Sequence, residues 1–212
     1  MTAKADTRLR RLPEKGRKDL QLAHDIIDEA RICHVGFTVD EQPYVVPMAL
    51  ARDGDLILLH GSVVSRLMKN LAAGLPCCVT VTHLDGLVLA RSAFNSSMNY
   101  RSLMVFGSAS LISDPEEKKR GLDILVEHLL PGRIAELRES TRKELNATTL
   151  LSLPLETFSI KLGEGPPDDT RADIGTPIWA GVIPLELKAG EPEAAPDMVP
   201  GIPLPDYLKK PD

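Results

Sequence analysis

The spacing of apolar residues changes along the chain, and each spacing predicts a type of element. In DLQLAHDIIDEA, residues 19–30, apolar positions recur every three or four residues, which predicts an amphipathic helix. The short β-branched and apolar runs ICHVGFTV, PYVVPMAL and DLILLH follow. Residues 40–42 and the pair Asp53-Gly54 separate these runs with turn-forming side chains. The three runs therefore predict antiparallel strands in a meander.

Helical spacing returns after His60 and predicts a short helix inserted between strands. This segment is SVVSRLMKNLAAG, and Gly74 is its predicted end. Strand-like runs resume with CCVTVTHL and LVLARSA, and Asp85-Gly86 between them predicts a second hairpin turn. The run YRSLMVFGSASLI adds a longer strand that could close a barrel.

The later part of the chain predicts two helices and further strands. Asp114 is suited to an N-cap and Pro115 to the first position of a helix that continues through KKRGLDILVEHLL. Another helical stretch contains Arg142 and Leu145, and it precedes LLSLPLETFSIKL, which is predicted as one strand. The segment IWAGVIPLEL is the last element expected to be ordered. With about six to seven strands and no βαβ alternation, the prediction is an α+β fold built on an antiparallel β-barrel with flanking helices.

Composition divides the chain into three parts. Residues 1–18 mix charges and contain no apolar run, which predicts a flexible arm and neither a signal peptide nor a membrane anchor. Residues 19–188 carry all the periodic segments, and with 43% hydrophobic and 26% charged residues in the chain they predict one globular domain. Residues 189–212 are rich in proline, which predicts an extended tail, either laid along a partner subunit or disordered.

Charge and cysteine content narrow the classes of function. The formal net charge of -5 argues against binding of nucleic acid or of acidic membranes, so a small-molecule ligand is favoured. The three cysteines, Cys33, Cys77 and Cys78, do not make a disulfide framework, which favours the cytoplasm. They also lack the paired spacing of metal ligands, so we expect buried structural thiols and no metal site.

Two segments carry candidate chemistry. In LILLHGSVVSRLMKNL a strand runs into a helix near Ser65, Arg66 and Lys69, which favours a phosphate site, although a serine cap beside a surface arginine gives the same pattern. The second segment gathers polar donors at the start of a strand, where a polar turn with a solvent-directed arginine is the alternative. Its candidate residues are Asn99, Tyr100, Arg101 and Ser102.

The motifs HVGF, PYVVPM, LLHGS, SRLMKNL, DGLVLARSA, SMNYRS, VFG and WAGVIPL, in this order, resemble the pyridoxamine 5′-phosphate oxidase-related flavin-nucleotide-binding family, including its nitroimidazole-resistance branch. The resemblance implies an FMN-binding split β-barrel and a homodimer with FMN at the subunit interface. It also implies the residues that contact FMN. By this resemblance, the isoalloxazine ring would lie along the backbone of Val46, Pro47, Met48 and Ala49, and the strand-to-helix bend would be lined by His60, Gly61 and Ser62. The phosphate would be bound by Ser65, Arg66 and Lys69. Further contacts would come from Asn99, Tyr100, Arg101 and Ser102, and the pocket would be closed by Trp179.

The leading functional hypothesis is an FMN-dependent oxidoreductase. No second cluster of basic residues matches the one around Arg66, so a small nitro-compound or quinone-like acceptor is at least as well supported as pyridoxamine phosphate. His60, beside the expected flavin, could donate a hydrogen bond or a proton as a catalytic residue, or could only pack the bend. The alternatives are a flavin-binding or storage protein without turnover, and a split barrel that uses haem or a deazaflavin.

Overall fold

Two antiparallel sheets and four helices make up the part of the chain that the computed structural model describes, residue 7 and residues 12–209. The strands are β1 (Gly16–Arg17), β2 (Cys33–Val39), β3 (Gln42–Met48), β4 (Leu50–Asp53), β5 (Leu56–Ser62), β6 (Pro76–Leu89), β7 (Ser97–Ser108), β8 (Ser110–Leu111), β9 (Thr148–Pro154), β10 (Phe158–Gly163) and β11 (Gly181–Pro184). The helices are α1 (Leu20–Glu29), α2 (Arg66–Ala72), α3 (Pro115–Leu129) and α4 (Arg142–Ala147).

Pairs of consecutive strands alternate between the two sheets along much of the chain. The seven-stranded sheet has the order β1-β10-β7-β6-β2-β3, with β11 also paired to β6, and the four-stranded sheet has the order β4-β5-β9-β8. The chain passes from one sheet to the other four times: at Ala49 between β3 and β4, through α2 between β5 and β6, at Ala109 between β7 and β8, and between β9 and β10. The predicted α+β fold with an antiparallel split barrel is confirmed.

One main core fills the space between the sheets, and a smaller one lies outside them. The main core combines α1 and α2 with the inward faces of both sheets, for example Ile27, Val79 and Leu151, which are fully buried. The smaller core joins Leu58 and Leu150 of the four-stranded sheet to α3. Strand β5 is therefore buried on both of its faces.

The predicted helices are all present, and the N-cap predicted at Asp114 is confirmed. Asp19, Ser65, Asp114 and Thr141 each accept hydrogen bonds from the first turn of the helix that follows. Helix α2 is followed by Gly74, whose φ of +85° is suited to glycine at the end of a helix.

The hairpin predicted at Asp85-Gly86 is wrong, whereas the one at Asp53-Gly54 joins β4 to β5 as expected. Strand β6 continues through Asp85 and Gly86 with a bulge against β7. A β-carbon at Gly86 would lie 3.0 Å from the carbonyl oxygen of Ile183. Glycine is thus required here because β11 approaches closely, and not because the chain turns.

The single strand predicted at residues 150–162 is also wrong, because two strands occupy it. Strand β9 belongs to the four-stranded sheet and β10 to the seven-stranded sheet. Pro154, which lacks the backbone N–H of a ladder donor, is the last residue of β9, and the chain then crosses to β10.

The two ends of the chain contact the same domain. Residues 1–6 and 8–11 of the predicted arm, and 210–212 of the predicted tail, lie outside the described residues. At the end of the arm, Gly16–Arg17 pair with β10. In the tail, the Tyr207 hydroxyl donates to Glu136 and accepts from Arg133, close to the end of α3. No helix within the described ranges is long and apolar enough to cross a membrane.

An ion-pair network joins α1 to the two longest strands. Arg101 of β7 donates to both carboxylate oxygens of Glu29, the last residue of α1, and to Asp85 at the bulge of β6. The two carboxylates raise the pKa of Arg101 well above its usual value, and the Arg101 hydrogen bonds lower the pKa of Glu29. The network therefore depends on an ionised Glu29.

We expect Glu29→Gln to reduce the free energy of unfolding by up to about 1 kcal/mol near neutral pH, because one partly exposed ion pair is lost. The folded-state pKa of Glu29 lies below its usual value of 4.5, so this contribution is present above that value and is lost as the pH falls through the lowered pKa. Urea unfolding of both proteins at neutral and at acidic pH measures this change. Glu156→Gln, at an exposed turn residue, is the control; an equal deficit for Glu29→Gln at both pH values would contradict the expectation.

We expect Gly121→Ala to destabilise the protein by about 1 kcal/mol, because overpacking outweighs the gain in helix propensity. A β-carbon at Gly121 of α3 would lie 2.5 Å from Cδ2 of Leu150, which is fully buried. Thermal and denaturant unfolding measure the difference. Gly190→Ala is the control because no atom lies within 4 Å of its added carbon. A variant as stable as the parent protein would show that Leu150 repacks freely.

Candidate functional site

The bend between β5 and α2 presents hydroxyl groups and cations on one short stretch of chain. The Ser65 side chain accepts from the backbone N–H of Met68 and caps α2, and the Ser62 hydroxyl accepts from the N–H of Val64. Arg66 is the first residue of α2, and Lys69 follows one turn later, with both side chains exposed. One continuous segment, from the end of β5 into α2, thus carries Ser62, Ser65, Arg66 and Lys69, and their contact with a cofactor stays a prediction.

Tyr44 holds the Arg66 side chain in place. The guanidinium carbon of Arg66 lies 4.0 Å from the centroid of the Tyr44 ring, and Nη1 donates to the Tyr44 hydroxyl over 3.2 Å. The Tyr44 ring in turn stacks on Phe37, with 5.3 Å between the ring centroids. A cation that is fixed in this way beside two serine hydroxyls is suited to bind a phosphate group.

Sequence reasoning missed Tyr44, although a signal for it was present. Tyr44 and Arg66 are 22 residues apart, so no local motif connects them. Along β3 the side chains of Tyr44, Val46 and Met48 are partly buried, whereas those of Pro43, Val45 and Pro47 are exposed. This alternation, read from the sequence, places Tyr44 on the core face with Phe37, but it gives no information about Arg66.

The segment predicted to lie along a flavin ring is where the chain leaves one sheet for the other. Val46, Pro47 and Met48 end β3, and Ala49 lies between β3 and β4 outside both strands. Backbone groups at Ala49 are therefore not part of either ladder, which suits a segment that bonds a ligand. Pro47 is at the edge strand of the seven-stranded sheet, where its missing N–H disrupts no interior ladder.

The second predicted segment lies on β7, and its side chains have other partners within the chain. Asn99 donates to the carbonyl oxygen of Gly165, and the Tyr100 ring lies against Gly163. Ser102 shares a hydrogen bond with Thr82. Arg101 and Arg66 share no partner, since Arg101 is bound by Glu29 and Asp85 on the core side of its strand. Among the described residues, no side-chain hydrogen bond of this segment reaches Ser65 or Arg66.

The last two predicted site residues, Trp179 and His60, lie in different surroundings. Trp179 is 67% exposed just before β11, and its ring lies against Gly181. His60 of β5 points to the α3 side of the sheet, like its strand neighbour Leu58 and its cross-strand partner Leu150. Its Nδ1 atom is buried without a hydrogen-bond partner among the described residues. Burial lowers the pKa of His60, so the ring is neutral at neutral pH.

Solved structures with the same fold include two that match nearly the whole chain. The FAD and haem binding protein from Mycobacterium smegmatis is 42% identical, with 92% of this chain and 95% of that chain covered and a TM-score of 0.88. The flavocytochrome Anf3 from Azotobacter vinelandii is 39% identical, with 95% and 94% covered and a TM-score of 0.90. A candidate 5-nitroimidazole antibiotic resistance protein from Bacteroides thetaiotaomicron is 26% identical, with 69% and 85% covered and a TM-score of 0.58.

The family comparison agrees with the predicted resemblance. No curated protein matches the chain. The family model described as pyridoxamine 5′-phosphate oxidase matches residues 19–162, which run from the cap of α1 to Leu162 in β10 and include the bend at Ser65 and Arg66. The chain therefore belongs to the pyridoxamine 5′-phosphate oxidase family.

Proposed function

We propose that this protein is a flavin-dependent oxidoreductase whose flavin phosphate is bound at the bend between β5 and α2. The observation that carries the proposal is the Arg66 guanidinium, fixed over Tyr44 on the segment that also carries the hydroxyls of Ser62 and Ser65. A bound flavin would supply electron transfer, and the protein would bind and orient it. Arg66 would meet the anionic phosphate, while the backbone at Ala49, which lies outside β3 and β4, would face the ring.

The flavin that we propose is FAD. The resemblance in sequence implies FMN, but the relative from Mycobacterium smegmatis, 42% identical over 92% of this chain, is described as binding FAD. Both cofactors share the flavin mononucleotide half, so the same phosphate contacts at Ser65 and Arg66 serve either one. Mass analysis of the flavin released from the purified protein distinguishes FAD from the predicted FMN.

We propose further that two copies of the chain form the functional unit. The outer face of the seven-stranded sheet exposes Val45, Leu84 and Met104, which are 68%, 45% and 38% exposed. Hydroxyl side chains such as Thr80 and Ser102 lie between them on the same face. A second copy would bury this mixed surface and could bring Asn99 or Trp179 to the partner's flavin. The molecular mass in solution tests this proposal.

The acceptor that we propose is a small nitro-compound or quinone. The site at Arg66 and Lys69 offers one cluster of cations, and that cluster is assigned to the flavin phosphate. Arg101, the other arginine predicted to contact the flavin, is neutralised by Glu29 and Asp85. A second anionic group on the substrate would have no free cation there, so an uncharged acceptor fits better.

Haem is a second proposed cofactor, and His60 is the observation that favours it. The two relatives that match over 92% and 95% of this chain are described as an FAD and haem binding protein and as a flavocytochrome. His60 of this chain is partly buried and has a lowered pKa, and its Nδ1 atom has no hydrogen-bond partner among the described residues; a neutral imidazole is the form that binds haem iron.

The first experiment is an absorption spectrum of the purified protein, followed by anaerobic photoreduction and assays with nitro-compounds and quinones. We expect flavin bands that bleach on reduction and return when an acceptor is added. A protein that binds no added flavin would refute the proposed function. Flavin bound without turnover of any acceptor would favour the storage protein, and the band positions would identify a deazaflavin.

We expect Arg66→Ala to raise the Kd for flavin about 10-fold to 150-fold, because it removes a charge-assisted contact of about 1.5–3 kcal/mol. Fluorescence titration of the flavin-free protein measures the Kd. Arg142→Ala, at an exposed arginine of α4, is the matched control and should bind flavin normally. Unchanged binding by Arg66→Ala would show that the phosphate is bound elsewhere.

We expect Tyr44→Leu to raise the flavin Kd about 10-fold and Tyr44→Phe only about 2-fold to 5-fold. Leucine removes both the ring under Arg66 and the hydroxyl, whereas phenylalanine keeps the ring and its stacking on Phe37. The same titration measures both variants. If Tyr44→Leu bound flavin as tightly as the parent protein while Arg66→Ala did not, Tyr44 would have no role in positioning Arg66.

A further inference from the structure

The part of the chain that follows β11 is held to the domain at both of its ends. Strand β11 itself pairs with β6. Near the other end, the Tyr207 hydroxyl donates to Glu136 over 2.7 Å and accepts from Arg133 over 3.0 Å. Residues 185–205, here named the strap, form no helix or strand between these two points. The strap therefore crosses the domain surface from β6 to the segment that follows α3.

A cavity of about 1120 Å³ lies between the strap and the end of α3. Its walls are mainly apolar. Leu130 follows α3 directly, and the strap contributes Met198, Ile202 and Leu204. These three strap side chains are 43%, 53% and 43% exposed. The strap thus borders apolar space that it does not fill, which is typical of a binding site for an apolar ligand.

The charged residues at this cavity favour a ligand without a charge. They are Arg133, Glu136 and Glu193. Nη1 of Arg133 already donates to Glu136 and to the Tyr207 hydroxyl. Two carboxylates thus share one guanidinium that is already paired, so a ligand with its own carboxylate would be repelled. An uncharged ligand with a large apolar surface would instead bury the exposed strap side chains.

Helix α3 leads from the far end of β4 to this cavity. Arg120, in the first half of α3, pairs with Asp53 at the end of β4. Leu125, further along the helix, shares the smaller core with Ala51. The helix therefore runs along β4 towards Ala49, the segment proposed to face the flavin ring, and it ends beside the cavity.

A second contact indicates the same direction. His128, in the last turn of α3, lies 2.6 Å from the carbonyl oxygen of Ala30, which follows α1. Shortly after Ala30, Cys33 begins β2 and pairs with Met48, the residue before Ala49. The apolar cavity and the segment at Ala49 are therefore at the same end of the domain.

We propose that this cavity binds the hydrocarbon chain of the acceptor, and that the acceptor is a quinone with a long alkyl or prenyl chain. This inference rests on the proposed function and narrows its substrate to one class. The hydrocarbon chain would lie between α3 and the strap, and the quinone ring would reach towards Ala49. There the quinone would take two electrons and two protons from the reduced flavin and become the hydroquinone.

Isothermal titration calorimetry tests the proposal with decylubiquinone and with the same quinone ring without its decyl chain. We expect decylubiquinone to bind at least about 10-fold more tightly, in the flavin-loaded and in the flavin-free protein, since burial of two methylene groups supplies this factor. Decanoate carries an alkyl chain of similar length on a carboxylate. It should bind at least about 10-fold more weakly than decylubiquinone, because the cavity is lined by two glutamates.

Ile202→Glu places a charge in the cavity wall, and it should reduce the advantage of decylubiquinone over the chain-free ring to about 2-fold or less. Val199→Glu is the matched control, because Val199 is 65% exposed on the same strap and is not among the residues that line the cavity. It should keep the full advantage. Circular dichroism and the flavin titration verify that both variants are folded and bind flavin.

Reoxidation of the photoreduced flavin adds a kinetic measurement. In Ile202→Glu, the decylubiquinone concentration that gives half the maximal rate should rise about 10-fold, and that of the chain-free ring should stay unchanged. A rise for both quinones would contradict the proposal, because a change at the hydrocarbon chain cannot affect a ring that carries none.

The proposal is overturned if the parent protein binds the two quinones equally, if decanoate binds as tightly as decylubiquinone, or if Ile202→Glu keeps the parental advantage or Val199→Glu loses it. A lower molecular mass of Ile202→Glu in solution would also overturn it, because a second copy would then cover the cavity. Failure of the parent protein to bind flavin would count against the proposed function instead, and the flavin-free titration would still test the cavity.

Discussion

Burial of β5 on both faces is the constraint on which the rest of the structure depends. Ile57, Leu58 and Leu59 are consecutive and fully buried, so both faces of the strand need apolar cover. The main core covers one face and α3 covers the other. The same strand ends at the bend that carries Arg66 and presents His60 on its α3 side. A buried strand fixes these side chains more firmly than a surface loop could.

The fold was predictable where one segment decides its own structure. Caps such as Asp114 and the apolar spacing of α1 act within a few residues, and the helices that they predict are present. The two Asp-Gly pairs show the limit. Asp53-Gly54 is a turn, whereas Asp85-Gly86 lies inside β6 because β11, about 100 residues later, needs a residue without a side chain beside it. A local pattern cannot distinguish these two uses of glycine.

In the candidate site too, the features that lie within one segment were predictable, and those that depend on distant segments were not. Ser65 and Arg66 follow from a strand, a bend and a cap within one segment. Tyr44 depends on the packing of β3 against α2, and the partners of Arg101 come from α1 and β6. Arg101 was predicted to contact a ligand because its motif is rich in donors. In the structure two carboxylates from distant segments already neutralise it, and only tertiary contacts reveal that.

The position of His60 connects the second core to the proposed chemistry. Its cross-strand partner is Leu150, and Leu150 contacts α3 at Gly121. Helix α3 therefore packs on the strand pair that orients the imidazole, whereas Arg66 is oriented by Tyr44 and Phe37 near the opposite sheet. The two proposed cofactors would be supported by different packing contacts. Damage to the α3 packing should then disturb the histidine before it disturbs the arginine, because packed side chains transmit displacement to their immediate neighbours first.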